Sequence, residues 1–587
     1  MKGKVHMEKK NFTTGRIIVV GITLLVTALL GLLINYLALP EWNIQSGGFW
    51  GFIIVMGIIA TAAYLITAGI VSYRNDDYGV MRGGWIPGGA SILMVVVLIV
   101  LAIAGSAMVD PDGYCNAMGV ADGDFETEIP VANSDKIVSV DMKTAQKLGD
   151  RTLANLENSY WYEVDDEYNL VNINGTQYRI SSISYGSMFK YFKADESGIP
   201  AYVLVNADTQ EAKLVYLEEP MKYSPSAMFA YDLSRHLRNN YPSYIFDKSF
   251  FEVDDDGTPY WITGVKEATV GVMGAKVVTS AVITNAITGE CQEYELDKLP
   301  EWVDHVQSVD QLMKVIEWHY RYQNGFINFS STNVYRTSYY FKSQRTSSEK
   351  EDGGVENAYT PFEGYNSIVG NDGNVYFYTG LTPENRSESN IGFLIVNPRT
   401  GETKFYEIAG AEESSAQIAA EALVKNLQYS ASFPTITNVG GVETYLMTMK
   451  DVAGLVQMYA LCNVENYSKV VVASSIDEAI NLYKVRVGLE VDETDKPVVD
   501  NGDKDEQVEE PKETTKVSGI VTAVNEAQVD GYTYYYFMLG EDSTIYISSI
   551  ENSSVQPLKL TNGVEVSISF YPSTEEGIGI VTEISFK

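Results

Sequence analysis

Two acidic runs are the first places where this chain could do chemistry: "EVDDDG" at 252–257 and "EVDDEYN" at 163–169. Clustered carboxylates can hold Ca²⁺, but an EF-hand loop needs spaced ligands and a closing glutamate, and neither run has them. Both read as acidic hairpin turns, where Asp bonds to nearby backbone. Glycosidase chemistry needs two carboxylates face to face, and among 77 acidic residues no spacing singles out a pair. His6 lies in the N-terminal tail. His236, His305 and His319 fall on predicted helices without metal spacing, and read as structural histidines. Cys291 follows a turn with no paired base to make it a nucleophile. Cys115, Cys291 and Cys462 form no CxxC or Cys/His cluster. One disulfide is open to a chain that leaves the cytoplasm, and spacing does not say whether Cys291 and Cys462 form it. No phosphate-binding loop or nucleophile elbow appears. The sequence assigns no catalytic, metal-ligating or cofactor-binding residue, and no cofactor is expected.

The elements that carry these residues begin with a membrane anchor. Three uncharged apolar runs, 17–39, 49–73 and 85–109, are each long enough to cross a bilayer. Basic residues before the first run put the tail 1–16 in the cytoplasm and everything from about 110 outside. Trp42, Trp50 and Trp85 fall at predicted interfaces. No charge lies within a span, so the helices read as an anchor rather than an ion path. The chain's net charge is −35. Residues 1–109 hold seven basic and four acidic groups, which leaves −38 for the remainder. That charge repels nucleic acid and anionic lipid headgroups and favours cations or basic partners.

Past the anchor the chain repeats itself. "VNADTQEAKLVY" (205–216), "TNAITGECQEYE" (284–295) and "VNPRTGETKFYE" (396–407) read as one turn between strands. Asn285 and Asn397 suit its start, and Gly289 and Gly401 suit positive φ. Gln210 replaces the glycine in the first copy, which predicts a different turn there. A second glycine with an aromatic close behind precedes each turn, in "GIPAY" (198–202), "GTPYW" (257–261) and "GNVYF" (373–377), with "GVETY" (441–445) as a weaker fourth copy. Amphipathic helices accompany the hairpins. The run 226–242 puts Met228, Leu233 and Leu237 on one face; 411–429 groups Ile418, Ala422, Leu423 and Leu427, with an acidic first turn suited to the helix dipole. The runs 308–322 and 475–485 start at the caps Ser308 and Ser475. The predicted unit is a helix laid on a small antiparallel sheet, used several times.

The order of a helix ending in Tyr241-Pro242, then "EVDDDGTPYWIT", then "VITNAITGECQEYE" resembles the PepSY domain. Residues 226–296 match best, and 371–430 match in the hairpin and following helix. PepSY modules occur in protease propeptides and in membrane-anchored extracytoplasmic bacterial proteins. The resemblance implies binding or inhibition of an extracytoplasmic partner without chemistry of its own. Gln210, a long insert between Trp261 and Thr284, and the multiple copies depart from a single module. The whole chain also resembles membrane proteins of low-GC Gram-positive bacteria.

The acidic run 491–516 has ten acids, four lysines and no aromatic residue, and reads as a disordered linker. Beyond it, strands near 517–524, 532–539, 543–549, 563–571 and 578–586 resemble an OB-fold barrel, with a short polar segment before the fourth. Tyr532, Tyr534 and Tyr536 face one side of their strand, Tyr535 and Phe537 the other, and one set must be core. The domain plan is therefore tail 1–16, spans 17–109, a first α+β module 110–220, a PepSY-like module 221–325, further PepSY-like module or modules 326–490, linker 491–516 and an OB-like barrel 517–587. The fold class is membrane-anchored multidomain α+β. The expected function is non-catalytic: an integral membrane protein of the cell envelope that holds a protein or peptide partner. The alternatives are a structural subunit of a larger membrane assembly and an acid-catalysed hydrolase of envelope polymer.

Overall fold

A computed structural model describes residues 2–75, 78–132, 138–194, 198–327, 335–340, 364–384, 389–490, 515–529, 532–540, 544–549, 560–572 and 578–586. Among the described residues three helices are long and apolar enough to cross a membrane: Gly15–Ala38, Gly47–Arg74 and Gly79–Ala104. The first continues a helix that starts at Lys2 and takes in the basic tail. Apolar side chains such as Ile17, Leu32, Ile66 and Ile92 point outward from the spans, as lipid-facing residues do.

Four copies of one unit follow, each a helix and then four antiparallel strands in sequence order. The first has helix Met142–Leu153 and strands Asn169–Ile173, Thr176–Ser181, Ile199–Asn206 and Ala212–Met221. The second has helix Leu233–Asn240 and strands Ile245–Val253, Pro259–Ala268, Lys276–Asn285 and Cys291–Glu295. The third has helix Val309–Tyr322 and strands Asn366–Val369, Val375–Pro383, Gly392–Val396 and Thr403–Tyr406. The fourth has helix Glu413–Leu423 and strands Thr435–Val439, Val442–Lys450, Val456–Asn463 and Val470–Ala473, with a closing helix Ile476–Val487. The sequence places helix Val309–Tyr322 in the module 221–325, but Leu312, Met313 and Ile316 pack with Phe377, Leu394 and Val396 of the third sheet. The long insert after Trp261 is the extended hairpin made by the second and third strands of its sheet.

Sheets one and two share one core, in which the Tyr202 ring lies 5.8 Å from that of Phe251, and Phe251 packs in turn on Trp261. Sheets three and four share another, around Tyr378, Phe393, Tyr445 and Cys462. Alternation along each strand leaves a second apolar face. Leu299, Val303 and Val306 cover that face of sheet two, and helix Ile476–Val487 covers it on sheet four.

The recurring turn is built alike in three copies. Asn206 Oδ1 accepts from the amides of Asp208 and Thr209 at 2.9 and 2.8 Å; Asn285 does so for Ile287 and Thr288, and Asn397 for Arg399 and Thr400. The expected difference at Gln210 is absent: its φ is +61°, beside +78° at Gly289 and +80° at Gly401. The Gln210 side chain bonds both backbone groups of Val456 in the fourth module, at 3.4 and 3.2 Å. The companion glycine also needs correction. Gly257, Gly373 and Gly441 each precede the second strand of their sheet, whereas Gly198 precedes the third. The first copy's true counterpart is Gly175 in "GTQY", at φ +83°.

Helix starts follow their caps. Ser308 and Ser475 accept from the amides of Gln311 and Glu478. The helix read at 226–242 begins only at Leu233, where Asp232 caps it; Leu233 and Leu237 are buried, and Met228 lies outside it. In the run 411–429 the expected face points to solvent: Ile418, Leu423 and Leu427 are exposed, while Ala416, Ala420, Gln417 and Glu413 are buried.

The chain leaving the third span stitches sheets together. Val120–Asp122 adds as a parallel strand to the outer edge of sheet three, opposite Thr403–Phe405. Val131 bridges in parallel to Asn438 of sheet four.

The described residues from 515 onward form a separate compact unit. Most of the linker reading falls outside the described residues, which resume with the strand Thr515–Val529. This strand pairs with Tyr532–Leu539 and with Glu565–Pro572. Ile545–Ser549 links Tyr532–Leu539 to Ile578–Phe586, which pairs back to Glu565–Pro572, so the pairing returns to its start. Tyr535 and Phe537 are the core set. The polar segment before the fourth strand lies largely outside the described residues.

Candidate functional site

The strongest gathering of titratable groups lies where sheets one, two and three meet. Glu252 is the penultimate residue of the first strand of sheet two and is fully buried. Its carboxylate accepts from the amide of Asp304 at 2.9 Å and the amide of His305 at 2.7 Å, and Oε1 is 2.9 Å from His305 Nδ1. Asp304 in turn accepts from the amide of Asn172 in sheet one at 2.8 Å. The imidazole of His305 lies between the rings of Phe250 and Phe377, at 5.8 and 5.7 Å. His305 is in the extended run before helix Val309–Tyr322, not on a helix as expected.

Burial dominates the electrostatics here. It pushes Glu252 up to about 8, against the two backbone amides. It pushes Asp304 up to about 7, helped by the neighbouring Glu252. It pushes His305 down to about 4, although Asp304 favours its charged form. Beside the imidazole is a cavity of about 150 Å³ lined also by Arg179, Lys248, Asp310 and Tyr365. Arg179 donates to the carbonyls of Val140 and Tyr168 at 3.0 and 3.3 Å. Lys248 pairs with Glu167 at 2.8 Å.

This arrangement can hold strands in register, because each of the two carboxylates receives a backbone amide from another segment. The hydrolase alternative requires two carboxylates converging on a cleft. Glu252 and Asp304 are instead directed at amides. The other acids of "EVDDDG" serve turns: Asp254 accepts from the amides of Asp256 and Thr258, and Asp255 from that of Asn174. In "EVDDEYN", Asp165 bonds Ser182, and burial raises its carboxyl. Glu163 pairs with Lys190 at 3.0 Å. No group of three metal-ligating residues occurs among the described residues.

The remaining candidates are dispersed. His236 Nε2 lies 2.7 Å from the Gly289 carbonyl, and His319 Nδ1 lies 2.9 Å from that of Cys115. The three cysteines are free. Burial raises the thiols of Cys115 and Cys291 and pushes Cys462 up to about 12, which opposes thiolate formation.

Two features escaped sequence reading. Glu413, in the acidic first turn that suits the helix dipole, is buried and accepts from Asn390, Ser338 and Tyr378 at 3.0, 3.1 and 3.2 Å. A groove of about 300 Å³ runs beside the third sheet, with Tyr376, Ile395 and Tyr406 in its lining. At its rim Glu128 lies 2.9 Å from Lys404, which holds the carboxyl below its usual range. No spacing signal marked either, because the partners come from distant segments.

The second module rests on the anchor. Arg235 lies 3.9 Å from the Tyr36 ring and donates to the Tyr36 carbonyl at 2.6 Å. Arg238 is 3.4 Å from Glu41, and the Trp42 amide donates to the Pro242 carbonyl at 2.8 Å. The hairpin tip at 269–275 meets the end of the third span so closely that a Cβ on Gly274 would lie 2.2 Å from the Gly105 carbonyl oxygen. Comparison with protein-family models and with curated proteins finds no match to this chain.

Proposed function

We propose that this chain is a membrane-anchored, non-catalytic binding or regulatory protein of the cell envelope. Its PepSY-like modules, outside the membrane, hold an extended segment of a protein or peptide partner at their sheet edges, and the C-terminal unit is an OB-like barrel. The observation that carries this reading is the strand Val120–Asp122, which the chain adds to the outer edge of its own third sheet. Strand addition of this kind is a general mode of peptide recognition. The corresponding outer strands of sheets one and two, Ala212–Met221 and Cys291–Glu295, each pair with a single neighbour among the described residues. They present the same kind of edge without its occupant.

A photo-crosslinking residue at Tyr216, on the open edge, and another at Lys404, on the filled one, test this in native membranes. Polypeptide adducts at 216 and only intrachain adducts at 404 are expected. Equal yields of foreign adduct at both positions, or none at 216, would sink the reading.

A further inference from the structure

We infer that Met188, Phe189, Phe192 and Phe229 form a lipid-binding surface lying in the headgroup layer of the bilayer that holds the three spans. The helix Met188–Lys193 turns Met188, Phe189 and Phe192 outward, at 50, 76 and 57 % exposure, and Phe229 joins them at 53 %. The Phe192 and Phe229 rings lie 6.0 Å apart. Tyr191 fixes this helix from its other side, 4.9 Å from the Tyr185 ring and bonded to the Met228 carbonyl at 3.5 Å. The cluster is thus a built face rather than a loose end.

Phe229 is held there against its backbone preference. Its φ is +56°, a costly region for a bulky residue that persists only where the surroundings enforce it. Water gives no return for that cost, since it leaves a phenyl ring exposed. A membrane interface does, because aromatic rings partition there.

Position identifies the lipid. Helix Leu233–Asn240 begins four residues after Phe229. Arg235, near its start, binds Tyr36 at the end of the first span; Pro242, just past its end, binds Trp42 in the following loop. Contacts at both ends lay this helix along the membrane surface. Residues 229–231 and the helix Met188–Lys193 packed on them continue that surface. Apolar and aromatic residues interspersed with Lys190 and Lys193 are the composition of interfacial helices. The inference rests on the three helices being membrane spans.

The full-length chain in nanodiscs of phosphatidylcholine and phosphatidylglycerol tests it. Phe189→Cys, Val452→Cys and Ile99→Cys are each labelled with a nitroxide, and the label taken up by the wild type is subtracted. Collision with oxygen is compared with collision with a water-soluble nickel chelate. The label at 189 is expected to favour oxygen over nickel by about tenfold relative to 452, approaching the value at 99 within the third span. A label at 189 as open to nickel as that at 452 overturns the inference. So does one shielded from both reagents, which would mean a second copy or another protein covers the face. If 99 also behaves like 452, the spans are not embedded, and the membrane reading itself fails.

Discussion

The first and third modules close their last hairpin with the same turn and differ at its critical residue. Gly401 takes positive φ without steric cost, and a Cβ there would lie 2.7 Å from Gln307 Nε2. Gln210 takes the same φ at a cost, and its amide is bonded to Val456 in another module. One turn is thus set by what sits beneath it, the other by what its side chain reaches. The third turn rests on the run 304–308, since the amides of Val306 and Gln307 both donate to the Pro398 carbonyl. That run is fastened by Glu252. The comparison teaches that a repeated hairpin can keep its geometry while each copy acquires a different inter-module tie.

The largest expected effect comes from removing the fastening. Glu252→Ala leaves two buried amides and an imidazole without their acceptor and should cost about 4 kcal/mol. Hydrogen exchange should show the amides of Asn397 and Gly401 losing protection while that of Asn206, bonded to the Glu211 carbonyl, keeps it. Equal loss in both turns would break the comparison. Next, Gly401→Val should destabilise the third sheet by about 3 kcal/mol through positive φ and overlap with Gln307. Thermal melts of the solubilised chain measure it; unchanged stability with lost binding would instead mark the turn as a binding loop.

A smaller effect is expected from pH. The carboxyls of Glu252 and Asp304, raised to about 8 and about 7, bind protons more tightly folded than unfolded. Stability should therefore fall as pH rises through 7 to 8. His305, lowered to about 4, acts in the opposite sense, losing stability only as pH falls from about 6.5, its unfolded value. Between pH 6.5 and 8 the carboxyls decide the sign, and denaturant melts should lose about 2 kcal/mol. Glu252→Gln should flatten that slope. The smallest effects sharpen the contrast at Gln210. Gln210→Ala keeps the strain, loses the tie and should cost about 1 kcal/mol. Gln210→Gly loses both and should be near neutral, within about 0.5 kcal/mol.

Local signals in the sequence were readable where one element decides the outcome. Asn285, Asn397, Gly289 and Gly401 specify a turn by themselves, and Ser308 and Ser475 specify a helix start. Faces were less readable. In the run 411–429 the large residues Ile418 and Leu423 suggested the buried side, but the shared core admits the small Ala416 and Ala420 there. The acidic first turn suits the helix dipole, but the burial of Glu413 is not legible there, because Ser338 and Tyr378, which donate to it, lie 75 and 35 residues away. The Glu252–His305 contact likewise joins residues 53 apart, and its chemistry comes from burial, which no motif records.

The strand Val120–Asp122 has a temporal consequence. It leaves the ribosome about 280 residues before its partner Thr403–Phe405. At 5–20 residues per second, that is a delay on the order of tens of seconds. Throughout that interval the segment's own partner strand is not yet made, and the third sheet, once made, must close a very long loop to recover it. A competing strand has its best chance once that edge exists and before the loop closes. Occupancy of that edge is therefore decided by the order of synthesis as well as by affinity.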